Sequence, residues 1–158
     1  LQVEDHVILV FTKVLDELQR GLVDEDEDAI SAPTDRAFWE NDRGTKKTLA
    51  MMDRLFELVK EVDPDVELKY NKFYVGLVRE GRADNYVQFR PQKSSVKLEV
   101  RLPKSDEIDS LLNEADIETL EYSSRWARYR IRVTDADLDK NSELLRGLIV
   151  EAQANSQS

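Results

Sequence analysis

The chain has no cysteine and a single histidine, His6. Without cysteine there is no disulfide framework, no thiolate metal site and no cysteine nucleophile. With one histidine there is no His pair for a metal. A histidine-dependent triad would have only His6, which lies far in sequence from the polar and aromatic segments downstream. Glycine is scarce too, at five residues, and no P-loop, G-x-G-x-x-G or G-x-S-x-G occurs. Glu67-Leu68-Lys69 has the letters of a metal-nuclease strand but no acidic partner on a neighbouring strand. No apolar run is long enough to span a bilayer. Leu1 to His6 lacks the basic start and small-residue cleavage site of a secretory signal. These shortages lead us to expect a cytoplasmic, non-catalytic protein with no cofactor, no metal site and no membrane partner.

What is present is charge and apolar periodicity. The 158 residues are 41% hydrophobic and 35% charged, enough for one domain with an extension. Net charge is −10, which would repel nucleic acid if spread evenly. It is not spread evenly: from Val66 to Val133 there are 13 Lys and Arg against 11 Asp and Glu. The acidic excess lies elsewhere, most densely in Asp24 to Asp28, a run of five carboxylates that reads as a solvated linker. The same run lacks the interleaved Gly, Asn or Ser of a metal loop. We therefore divide the chain into an N-terminal extension or end of a preceding domain (1–33), a domain (34–154) and a polar tail (155–158). His6 to Leu22 fits either a strand running into a short helix or one helix face. The chain starts with Leu rather than Met, as a piece of a longer polypeptide would.

Within the domain, Thr34 to Glu40 reads as a capped turn and Thr45 to Val62 as an amphipathic helix stopped by Asp63-Pro64. Val66 to Leu102 then lays down short strands with a period of two, cleanest over Val96, Leu98, Val100 and Leu102. Gly81 and Asp84-Asn85 mark a hairpin connection. Ser105 caps a helix to about Ala115, and Ile117–Tyr122 with Trp126–Val133 form a further hairpin. Thr134-x-x-Asp137 opens the closing Leu-rich helix. The fold expected is α+β: a mainly antiparallel sheet of about five or six strands with helices packed on one face.

The alternation places cations on the sheet face opposite the core. We single out Lys69, Arg90, Lys93, Lys97, Arg101, Arg128 and Arg130 for nucleic-acid or anion binding. Tyr74, Tyr86 and Trp126 are the candidate aromatic contacts. Cations match phosphates and flat rings match bases. Against this stands the ordinary polar outer face of a half-buried sheet, with Glu99, Glu118 and Glu121 available to pair with those arginines. An acidic protein partner or a small anion would suit the same face.

Three segments carry a resemblance: Lys69-Tyr70-Asn71-Lys72-Phe73-Tyr74-Val75-Gly76, Tyr86-Val87-Gln88-Phe89-Arg90-Pro91-Gln92-Lys93 and Val96-Lys97-Leu98-Glu99-Val100. With Trp39, Trp126 and the closing helix, they make Phe38 to Ala154 resemble an uncharacterised prokaryotic domain family labelled "predicted transport protein". That family often forms the C-terminal part of longer proteins with restriction-endonuclease-like regions. The resemblance implies a C-terminal binding module serving nucleic-acid processing or defence, and it carries over no catalytic residues. A protein-interaction or dimerisation domain, giving a homodimer, is the alternative.

Overall fold

The computed structural model describes residues 33–157. The expectations for His6–Leu22, the acidic run and most of the N-terminal extension lie outside the described residues. The described chain begins with a one-turn helix α1 (Arg36–Phe38) that runs into a π-helical turn, Trp39–Arg43. Asp35, not Thr34, caps α1, accepting from the Phe38 N–H at 2.9 Å. Thr34 instead donates its N–H to the Tyr70 carbonyl at 2.9 Å. Helix α2 (Lys46–Val62) is capped by Thr45 in a reciprocal box with Thr48.

Seven strands follow in one sheet: β1 (Val66–Tyr70), β2 (Val75–Arg79), β3 (Arg82–Ala83), β4 (Val87–Pro91), β5 (Val96–Arg101), β6 (Glu118–Thr119) and β7 (Arg128–Val133). Helix α3 (Asp106–Glu114) separates β5 from β6. Helices α4 (Asp135–Lys140) and α5 (Ser142–Gln157) close the chain. The sheet order is β1-β2-β4-β5-β7-β6, with β3 on β2. Every pairing is antiparallel. The fold is α+β, as the alternation predicts, and the strand count exceeds the expectation because β3 and β6 are two-residue segments. The β2–β3 turn has positive φ at both Glu80 and Gly81, the twist a two-residue hairpin demands.

One face of the sheet builds the core. Leu49, Met52, Leu55 and Val59 of α2, with Leu145, Leu148, Ile149 and Ala152 of α5, pack on Leu77, Phe89, Leu98, Val100 and Ile131. Truncating one of the large side chains among them to alanine would cost about 2–5 kcal/mol. Two polar devices fasten the ends. Asp63, buried at the end of α2, accepts from Arg79 Nη1 at 3.0 Å and from the Tyr86 hydroxyl at 3.0 Å, and is ion-paired to Arg79 Nη2. Tyr129 receives the Ser105 N–H at 2.7 Å and so fixes the start of α3. Between β2 and β4, Asn85 replaces a strand carbonyl: its Oδ1 accepts the Leu77 N–H at 2.8 Å.

Candidate anion-binding cleft

Three elements meet at the end of the sheet where β4 turns into β5. The π-helical turn closes with the Gly44 N–H donated to the Trp39 carbonyl at 2.6 Å. Such a turn widens the helix by one residue and re-aims the chain beyond it. Trp39 points inward, and its indole N–H bonds the Asn71 carbonyl at 2.8 Å. That bond holds the Asn71–Tyr74 loop, itself closed by Asn71 N–H to Tyr74 carbonyl at 3.0 Å. The loop carries Phe73 outward, 39% exposed. Arg43, at the end of the π-helical turn, places its guanidinium 5.4, 5.9 and 5.3 Å from the ring centres of Phe38, Trp39 and Phe73.

These groups and the sheet end enclose a cleft of about 420 Å³ lined by Trp39, Asp42, Arg43, Phe73, Arg90, Pro91, Gln92 and Lys97. Arg90 and Lys97 are direct cross-strand neighbours. Lys93, exposed in the β4–β5 turn, reaches back to the Gly44 carbonyl at 3.2 Å and ties that turn to the mouth of α2. Three cations thus line the cleft with one carboxylate, Asp42, and an exposed ring beside them. Arg90 is itself ion-paired to the buried Glu99 at 2.7 Å, so three cations stand against two carboxylates here, a modest local positive excess that favours an anion.

The other sequence candidates divide. Lys69 is half-buried on β1 beside Gly76. Arg101 and Arg128 are cross-strand neighbours, as are Glu99 and Arg130. Arg128 is 3% exposed, donates to Gln88 Oε1 at 2.7 Å and lies 3.8 Å from Glu99 Oε1, while Arg90 Nε is 2.7 Å from the second oxygen of Glu99. Glu99, 4% exposed, is therefore flanked by two arginines in a buried polar network. This corrects the placing of Arg128 among surface cations: buried charges persist only when paired, and this one is. Arg132 is ion-paired to Glu118. Tyr74 and Tyr86 are also corrected, since both are buried and Tyr86 is spent on Asp63, so neither is an outward anchor. Trp126 is half-buried in the turn before β7 under Arg125, whose guanidinium lies 4.9 Å from its ring centre.

Burial pushes the Asp63 carboxyl up, but hydrogen bonds from Arg79 and Tyr86 and the Arg79 charge outweigh it and hold the group below its ordinary value. Burial, with the Asp63 bond second, drives the Tyr86 hydroxyl well above its ordinary value. Both shifts belong to a structural clasp away from the cleft. Among the described residues, no group of three or more His, Asp or Glu is placed to hold a metal ion, and no helix is long and apolar enough to cross a membrane.

No family model, curated protein or solved structure matches the chain.

Proposed function

We propose that the domain is a non-catalytic binding module whose cleft takes the phosphodiester backbone of a single-stranded nucleic acid. The observation that carries the reading is the convergence of Arg43, Arg90 and Lys97 on one cleft beside the exposed ring of Phe73. Arg43 is the distinguishing group. Three rings hold its guanidinium in place while the residue stays exposed, so it is pre-ordered for a phosphate at little further entropic loss. Phe73 supplies the flat face on which a base stacks. Lys93, fixed across the turn, extends the positive track.

A single strand suits this geometry better than a duplex, because a lone exposed ring at the rim of the cleft can stack only on an unstacked base. Three cations against two carboxylates, Asp42 and the Glu99 that pairs with Arg90, suit the binding of an anion. In a longer prokaryotic protein of the kind the resemblance implies, such a module would hold the nucleic acid for a neighbouring domain.

The test is fluorescence anisotropy with a labelled oligothymidylate of about 16 nucleotides. Binding at about 50 mM salt that weakens log-linearly as salt rises supports the reading. A flat anisotropy trace at that salt removes it.

A further inference from the structure

A second concavity lies between α3 and α5 and shares no lining residue with the cationic cleft. It has a volume of about 360 Å³, and Ile108 and Leu111 form one wall while Gly147 lies on the other. Leu111 is 41% exposed, the most open large apolar side chain of the described residues. The rim carries Glu107, Glu143 and Glu151, and no Lys or Arg lines the groove. Two cations of the neighbouring segments are engaged elsewhere: Arg146 Nε is 3.3 Å from Glu61, and Lys104 is ion-paired to Asp109.

Gly147 is the telling residue. It sits within the sixteen residues of α5, where glycine is a poorer helix former than alanine. A Cβ built on it would meet nothing within 4 Å, so the fold itself does not require glycine there. What glycine provides is bare backbone that another element can approach closely. Glu143, Gly147 and Glu151 follow at four-residue steps and form one stripe of α5, with the gap at its centre and a carboxylate at each end. The stripe is about 12 Å long, two turns of helix.

We propose that this groove seats a short basic amphipathic helix from a partner protein. An apolar side chain of the partner enters between Leu111 and Gly147, and lysines or arginines about two turns apart meet Glu143 and Glu151. The surface is separate from the cationic cleft and selects the opposite charge, so either assignment stands or falls without the other.

The experiment uses the 158-residue chain and a labelled amphipathic peptide of about 14 leucines and lysines in roughly 150 mM salt. Expected are saturable binding and a loss of about tenfold or more in both Gly147→Leu and Glu143→Lys/Glu151→Lys, with melting temperature held. Leu111→Ser, at an exposed position, repeats the test should Gly147→Leu fold poorly. Three results overturn the proposal. One is no binding. Another is binding unmoved by these variants, which means attraction to net charge alone. The third is a dimer in sedimentation that Gly147→Leu dissolves, which makes the occupant a second copy of the chain.

Discussion

The guanidinium of Arg43 lies 5.3 Å from the centre of the Phe73 ring and so bridges the π-helical turn and the β1–β2 loop. The pair joins a cation to an exposed ring at the edge of a cleft, which is the minimal unit for gripping one nucleotide by phosphate and base.

Phe73→Ala should therefore weaken oligothymidylate binding by about 1–3 kcal/mol, the worth of one stacked base. Because Phe73 is 39% exposed, the melting temperature should barely move. Anisotropy and calorimetry on the same preparation check both halves. Undiminished affinity in Phe73→Ala would mean that the ring is a support for Arg43 only.

Lys97→Ala should reduce the steepness of the salt dependence by about one unit on a log–log plot, as loss of one phosphate contact does. Affinity should fall evenly across oligonucleotide sequences. A drop confined to one base composition would point to base readout instead.

Asp63 sets the acid limit. Its folded carboxyl titrates below the ordinary value, so its stabilising contribution is present above the unfolded value and lost as pH falls through the folded one. The window is below about pH 4. Asp63→Asn should cost about 2–3 kcal/mol at neutral pH, less than the usual loss for a broken buried pair because the Arg79 side chain is 28% exposed. It should also flatten the decline below about pH 4. Urea melts at pH 7 and pH 3 measure this, and parallel pH profiles for the two proteins would refute the assignment.

Gly76→Ala should destabilise the sheet by about 1–3 kcal/mol, as overpacking does. A Cβ there would fall within contact of Asn85 Oδ1 and 2.9 Å from the Tyr74 ring, displacing the amide that receives the Leu77 N–H. Oligonucleotide affinity of the folded fraction should be unchanged, since Gly76 does not line the cleft.

Much of the fold is legible in the chain. The period-two pattern of Val96 to Leu102 gives β5 with Leu98 and Val100 inward, and Ser105 and Thr134 each cap the helix they precede. The sheet face is legible only by half. Alternation places Arg90, Lys97, Arg101, Arg128 and Arg130 opposite the core, yet it cannot tell a cation paired across strands from one at a rim. Register decides that, and it sets Glu99 between Arg90 and Arg128. Phe73 and Tyr74 illustrate the other gap. The sequence pattern runs the strand through both with Phe73 inward, whereas the loop closed at Asn71 turns Phe73 outward and buries Tyr74. Arg43 escapes a reading of the sequence, because nothing in Trp39-Glu40-Asn41-Asp42-Arg43-Gly44 announces a π-helical turn. Its one sequence signal is an arginine four residues after a tryptophan, within reach of its ring.

The most direct test is to map where a short oligonucleotide sits. Titrating ¹⁵N-labelled protein with an oligothymidylate of about eight nucleotides at low salt should shift the amides of Arg43, Phe73, Gln92, Lys93 and Lys97 together, with one affinity. No shift, or shifts gathered around Trp126 and Arg130 or along the α3–α5 groove, would contradict the assignment of the cleft.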